Sequence, residues 1–347
     1  MKSRSHSDHF NGRTFYNPTL SEQFSLGLTD VIGMLFEKRE KWPRSVENQG
    51  TPHLHQLLKD DQVALTFINH ATFLIQFPHL NVLTDPIWSD RASPFSFAGP
   101  KRARKPGVPI EELPKIDVIV ISHNHYDHLD IETIKTLNKL FAPKVLVPIG
   151  DKALIKSVGI KDVQELDWWE TVQVGEHTTI TFTPVQHSSR RGLFDRDRSL
   201  WGSYFIQNEQ RSVYFGGDAG YSTHYTDIRT RLGAADIALL GIGSYSPRWF
   251  MKPIHMNPEE ALRAHQDLQV NLSIAMHFGT FQLSNEAINQ PNDELKAALA
   301  KEGLSESRFI TMQEGETRVY GREIKCQDLP GTCSLPEAHA RLEPRSQ

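Results

Sequence analysis

Between Ser122 and His128 the chain reads Ser-His-Asn-His-Tyr-Asp-His, which packs three imidazoles, His123, His125 and His128, and the Asp127 carboxylate into six residues. Imidazole nitrogen and carboxylate oxygen are the donors that suit borderline divalent metals such as zinc. Three more donors of the same kinds follow at wide spacing: His187 after TFTPVQ, Asp218 after VYFGG and His277 after SIAM. A structural zinc site takes four ligands, so this larger set predicts two Zn2+ ions per chain. A lone histidine is more often a satisfied core residue than a ligand, but a cluster this dense with three distant partners is poorly explained that way.

Two divalent ions about 3.5–4 Å apart can clamp the oxygens of an in-line displacement at phosphorus and lower the pKa of water toward neutrality. Such chemistry needs no side-chain nucleophile. The sequence has no G-x-S-x-G elbow, and its two cysteines, Cys326 and Cys333, fall in the C-terminal tail, which argues against covalent serine or cysteine catalysis. Asp127 and Asp218 are the candidate catalytic carboxylates, and Asp127 could also orient a nucleophile or pass a proton.

The donors sit on a recognisable scaffold. The runs VALTFI, TFLIQF, NVLTD, DVIVIS, KVLVPI, TITFTPV, SVYFGGD, IALLGIG and SIAMHF are short, apolar and β-branched, as strands are. IETIKTLNKLF, PEEALRAHQDL and DELKAALAKEG are of helix length. Their alternation predicts a layered α/β (α+β) domain. Four strand runs lead into a ligand at their C-terminal ends, the edge at which layered α/β folds collect functional groups.

Composition narrows the class. The 347 residues, 38% hydrophobic and 23% charged, can bury a sizeable core, and the net charge of -4 gives no overall drive toward nucleic acid. We expect an N-terminal extension over residues 1–60, a catalytic domain over 61–325 and a tail over 326–347. The N-terminus lacks the apolar core of a secretory signal, and the longest apolar runs fall short of the roughly 20 residues of a membrane-spanning helix, so the expected address is cytoplasmic.

The pattern His-x-His-x-Asp-His with later strand-end His, Asp and His resembles the metallo-β-lactamase superfamily. That resemblance implies a four-layer αβ/βα sandwich, with His123, His125 and His187 on one metal, Asp127, His128 and His277 on the other, and Asp218 bridging both. The blocks FINHATFLIQF, LTDPIWSDRASPFSFAGPKR, ISHNHYDHLD, ELDWWE, FTPVQH, LWGSYFI, GGDAGY, SYSPRWFMKPIHMNPEEA and MHFGTF resemble the N-acylphosphatidylethanolamine-hydrolysing phospholipase D family and its bacterial relatives. This closer likeness runs from about residue 63 to 322 and implies cleavage of that lipid to an N-acylethanolamine and phosphatidic acid. Asn69, where relatives often carry glycine, and Ser188, where they carry a bulkier residue, depart from the pattern. His125 favours zinc hydrolysis over diiron redox chemistry, which typically has a carboxylate there.

Several residues carry two readings. The resemblance makes His255 a substrate-side histidine; the bland alternative is a residue preceding a helix cap at Asn257 and Pro258. His70 is either a support for a ligand or a satisfied core histidine, and Asp85 is expected to support the metal site rather than ligate. The runs Lys101, Arg102, Arg104, Lys105 and Arg190, Arg191, Arg196, Arg198 ordinarily mean a solvated surface, but near the metal edge they could attract anionic headgroups. Trp88, Phe95, Phe97, Trp168, Trp169 and Trp249 could line an acyl groove or touch a lipid surface, with core packing expected for most. The early segment SEQFSLGLTDVIGMLFEKREKW is read as docking on its own domain, against a peripheral membrane or homodimer helix. Competing functions are hydrolysis of a lactone, a cyclic nucleotide or an RNA phosphodiester, and a metal-stabilised scaffold without turnover.

Overall fold

Two mixed β-sheets stack face to face and send their loops to a common edge. The structure, a computed structural model, describes residues 7–20, 33, 37–54 and 57–321. Most of the early amphipathic segment and the tail with Cys326 and Cys333 lie outside the described residues. The first sheet holds β1 (Val63–Asn69), β2 (Thr72–Phe77), β3 (Leu80–Thr84), β4 (Val118–Val120), β5 (Lys144–Pro148) and β6 (Val163–Leu166) in chain order. The second holds β7 (Thr171–Val174), β8 (Thr178–Thr183), β9 (Ser203–Gln207), β10 (Ser212–Phe215), β11 (Ile237–Gly241), β12 (Leu272–Met276) and β13 (Phe309–Ile310). A last strand, β14 (Thr317–Tyr320), returns to pair antiparallel with β1 and completes the first sheet.

Each sheet is antiparallel on one side and parallel on the other. β3, β4, β5 and β6 pair parallel, as do β10, β11, β12 and β13. Parallel neighbours need crossovers, usually helical. Here α1 (Ile131–Phe141) and α2 (Lys152–Ser157) serve the first sheet; α3 (His224–Leu232), α4 (Arg248–Met251), α5 (Pro258–Leu268) and α6 (Gln290–Lys301) serve the second.

Alternation along the strands decides what each side chain packs against. Val118 and Val120 of β4 and Leu146 of β5 face the core between the sheets, with Phe182, Tyr204 and Ile206 opposite. Ile119, Val145 and Val147 point the other way, against Ile134 and Leu137 of α1 and Ile155 of α2. Burial on both faces explains why these strands read as continuous apolar runs. Helices flanking two sheets give the expected layered sandwich.

The helix ends follow local chemistry. Asp130 caps α1 by accepting from Glu132 N, and Asn257 with Glu260 forms a capping box ahead of Pro258 at the start of α5. α1 and α5 fall on the segments expected from the sequence, while α6 starts ahead of DELKAALAKEG because Pro291 is tolerated in a first turn. Among the strands, DVIVIS pairs only over Val118–Val120 and TITFTPV only to Thr183. The residues beyond, which carry His123 and His187, leave the ladder and are free to turn into the edge.

Candidate metal centre

Six strands of the two sheets deliver polar residues to this edge. To the four runs expected, ending at His123, His187, Asp218 and His277, the structure adds β1, which leads to His70, and β3, which leads to Asp85. The turns are tight. His70, Asp85 and His277 all have positive φ, of 50°, 32° and 60°. For residues with a Cβ such backbone costs about 1–3 kcal/mol each, a strain that functional sites commonly hold. Two of the turns are clasped together, because His277 N donates to His70 O at 2.8 Å. Before Asp218, Gly217 has φ +56°, and a Cβ there would meet the Ser122 Cβ at 2.7 Å, so glycine is required.

The side chains form two adjoining groups. In the first, His125 Nδ1 lies 2.8 Å from His123 Nε2 and 3.3 Å from His187 Nε2. In the second, Asp127 Oδ2 lies 3.3 Å from both His128 Nε2 and His277 Nε2. Asp218 Oδ2 stands between them, 3.0 Å from His128 Nε2 and 3.2 Å from His277 Nε2, and 3.8 Å from both His123 Nε2 and His187 Nε2. Four ligand atoms at zinc bond lengths define a tetrahedron with edges of about 3.3 Å. The second group, with Asp218, matches this closely; the first is somewhat looser toward Asp218.

Outer partners fix which atoms face inward. His128 Nδ1 donates to Asp85 Oδ2 at 2.6 Å and His187 Nδ1 to Ile254 O at 2.9 Å, leaving each Nε2 lone pair for a ligand bond. His123 Nδ1 meets Ser122 Oγ at 2.9 Å, and Ser122 Oγ donates to Asp85 at 2.5 Å. Asp85, His123 and His128 also offer atoms close enough to share an ion. Asp85 Oδ1 is taken by Ser122 N, however, and its Oδ2 by Ser122 Oγ and His128, so both oxygens already have protein partners. His70 Nε2 lies 3.0 Å from Asp127 Oδ2, and His70, Asp127, His128 and His277 together also offer atoms close enough to share an ion.

Buried polar atoms test the fit to a metal. His128 Nε2 and Asp218 Oδ1 are buried and make no hydrogen bond. Such atoms are costly unless something else satisfies them, and a cation does so. Protonation follows the same logic. Burial holds His123 well below the usual imidazole range, His125 at about 4 and both His187 and His255 at about 3, so these four are neutral donors at pH 7. Burial would lower His277 too, but Asp218 and hydrogen bonds to Asp127 and Asp218 raise it to about 9. His128 is likewise raised well above its usual value against burial, by Asp218 and Asp127. The second group therefore demands positive charge between its carboxylates, and the donor set fits divalent metal ions.

His255 is near this edge but set back. Its Nδ1 lies 4.0 Å from Asp218 Oδ2, and its ring centroid is 5.2 Å from that of His187. The capping box at Asn257 follows directly, as the local reading of the segment expected.

Within the basic runs Lys101, Lys105, Arg190 and Arg198 are exposed as expected, but Arg102, Arg104 and Arg191 are not. Arg102 is buried and donates to the carbonyls of Ile87 and Ser89, and Arg104 lies 3.5 Å from Glu314, so neither is a solvated or headgroup-binding charge. Arg191 stacks 4.1 Å over the Tyr126 ring and donates to Asn124 O and Leu129 O, clamping the metal loop. Trp88, Trp168 and Trp169 are half-buried, whereas Phe95, Phe97 and Trp249 are exposed.

Residues 80–278 match the beta-lactamase superfamily domain. The chain belongs to the beta-lactamase superfamily. It is 37% identical over 329 residues to N-acyl-phosphatidylethanolamine-hydrolyzing phospholipase D 1 of Caenorhabditis elegans, covering 88% of this chain and 92% of that one. It is 38% identical over 261 residues to the mitochondrial N-acyl-phosphatidylethanolamine-hydrolyzing phospholipase D of Saccharomyces cerevisiae, covering 74% of this chain and 55% of that protein's length. Among solved structures, a metallo hydrolase from the archaeon Ignicoccus hospitalis superposes with a TM-score of 0.58 at 22% identity, covering 76% of this chain and all (100%) of that one. At that identity the likeness speaks for the fold, and the superfamily's sandwich is what the two sheets form. Among the described residues no helix is long and apolar enough to cross a membrane.

Proposed function

We propose that this chain is a dinuclear zinc phosphodiesterase that cleaves N-acylphosphatidylethanolamine to an N-acylethanolamine and phosphatidic acid. One observation carries the reading: Asp218 Oδ2 faces both histidine groups at 3.0–3.8 Å, the position of a bridging carboxylate. His123, His125 and His187 would hold one ion, Asp127, His128 and His277 the other, with Asp218 shared. When bound, such a pair supplies Lewis acidity at phosphoryl oxygens and lowers the pKa of water toward neutrality. Asp127, held by His70, is fixed in orientation beside the reacting region. His255, neutral by burial, is placed to hydrogen-bond a phosphoryl or leaving oxygen from the His187 side. The likeness to the worm and yeast phospholipases supports the lipid as substrate.

The surface beside the metal loop suits a lipid interface. A cleft of about 680 Å3 runs between the loop at Ser89–Ser96, Tyr126 and Arg191, a volume typical of ligand sites. Exposed Phe95 and Phe97 pair at its rim with ring centroids 5.5 Å apart. Exposed Leu193 and Phe194 crown a turn that starts at Arg191 and is closed by Asp195, which accepts from Gly192 N. We place these four side chains in peripheral contact with the bilayer that supplies the substrate.

Metal analysis combined with product identification on N-acylphosphatidylethanolamine and on simple phosphodiesters tests the proposal. Phosphatidic acid with two zinc ions per chain is expected. Diacylglycerol in its place would reject the bond, and a metal-loaded protein inert on the lipid would reject the substrate.

A further inference from the structure

We propose that Asn17, from the N-terminal segment, is a positioning residue that completes the metal centre by fixing His187. The inference rests on the assignment of His187 as a metal ligand. β8 ends at Thr183, and beyond it Gln186 keeps an isolated bridge to Gly220, but the backbone of His187 itself is taken up by Asn17. Its Oδ1 accepts from His187 N at 3.1 Å and its Nδ2 donates to His187 O at 2.8 Å, so one side-chain amide satisfies both backbone groups as a neighbouring strand would. The same Oδ1 accepts from Trp201 Nε1 at 3.2 Å, and Asn17 is only 4% exposed. With Nδ1 already bonded to Ile254 O, His187 is held at three points and can present only Nε2.

The segment is itself anchored, so the amide is delivered in a fixed place. Phe15 is buried in the central core and its N donates to Asp197 O at 2.8 Å. His9 stacks on Trp168 with centroids 3.8 Å apart and lies 3.0 Å from Asp167. Thr19 donates to Gln186 Oε1 at 2.8 Å, next to the ligand. Pro18 biases the preceding Asn17 away from helical backbone, which narrows the conformations open to it. A segment far from the catalytic motifs in sequence thus forms a wall of the site.

The test compares full-length wild type with Asn17→Ala, Asn17→Asp and, as a control in the same segment, Asn11→Ala, whose side chain caps an exposed turn. Zinc retention is read against a graded chelator, cobalt-substituted protein by its ligand-field spectrum, and the metal-free proteins by urea unfolding. Outer partners of metal ligands typically change affinity by roughly 10–100-fold. Asn17→Ala is expected to lose zinc at a chelator concentration lower by that factor, with an altered cobalt spectrum and near-normal unfolding of the metal-free protein. Asn17→Asp, which keeps the acceptor and loses the donor, is expected to fall between, and it carries the test if the alanine variant does not fold. Asn11→Ala should behave as wild type. Unchanged chelator resistance and spectrum in Asn17→Ala, or in Asn17→Asp if only that variant folds, overturn the inference, as does equal sensitivity in Asn11→Ala. A wild-type chain that takes up no metal overturns the ligand assignment as well, so the two failures are distinct.

Discussion

Asp85 accepts from His128 Nδ1 at 2.6 Å while the same carboxylate accepts from the backbone N and hydroxyl of Ser122, the residue before His123. One buried carboxylate therefore orients a candidate ligand in each histidine group. Asp85→Asn can turn an N–H toward His128 Nδ1, which favours the tautomer with its proton on Nε2 and blocks the metal-facing lone pair. We expect zinc affinity to drop roughly 10–100-fold with the fold intact. Isothermal titration of the metal-free variant checks this, and wild-type affinity would exclude tautomer control by Asp85.

His255 Nδ1 lies 4.0 Å from Asp218 Oδ2, close to the 3.8 Å of His123 and His187, so distance alone does not separate a substrate contact from a ligand. As a substrate contact, its loss should leave metal content unchanged. A hydrogen bond to a charged group is worth about 1.5–3 kcal/mol, so His255→Ala should lower kcat/KM by roughly 10–150-fold. Steady-state kinetics paired with metal analysis separate the roles: loss of zinc in this variant would make His255 a ligand instead.

The cluster of metal-type donors was legible because chemistry compresses it. Three imidazoles and a carboxylate in six residues after an apolar strand have few other uses, and the strand-end positions of His187, Asp218 and His277 supplied the rest. The helices with a clear apolar stripe and good caps, α1 and α5, were legible for the same local reasons. α3 was not, since HYTDIRTRL buries His224, Tyr225 and Ile228, of which only two are conventionally apolar. Nor was β9, whose SYFIQ is short and buried except at its end. Arg102 and Arg191 misled because a run of basic residues carries no sign that its guanidinium groups meet backbone carbonyls. Asn17 gave no signal at all: Asn-Pro reads as a turn, and its partner is 170 residues away.

The exposed rim makes a prediction about interfaces. Fully burying a phenylalanine or leucine side chain contributes about 1.5–3 kcal/mol. Replacing Leu193 and Phe194, or Phe95 and Phe97, with serine should therefore weaken vesicle binding by at least roughly 10-fold per loop. For the Leu193 and Phe194 pair, turnover of a water-soluble short-chain phosphodiester should stay at the wild-type level, because neither side chain lines the cleft or belongs to the metal centre. Vesicle flotation beside soluble-substrate kinetics provides the comparison. Equal loss on both substrates in that variant would place its loop in the catalytic cleft and not on the membrane.

Asp151 links the metal loop to stability. It is buried, accepts from Asn124 Nδ2 at 2.9 Å, and is raised by burial from the usual carboxylate range to about 6. A carboxyl raised on folding favours the native state most below its unfolded value near 3.9, and that contribution is lost as pH rises through about 6. Wild type should thus lose stability relative to Asp151→Asn between about pH 4 and pH 7, by at most roughly 3 kcal/mol for a shift of about two units. Urea unfolding of both proteins at pH 5 and pH 8, at fixed metal occupancy, measures the difference. The variant's advantage should be larger at pH 8. A gap that is constant with pH would show that Asp151 stays ionised in the fold, with the Asn124 bond and its surroundings compensating its burial.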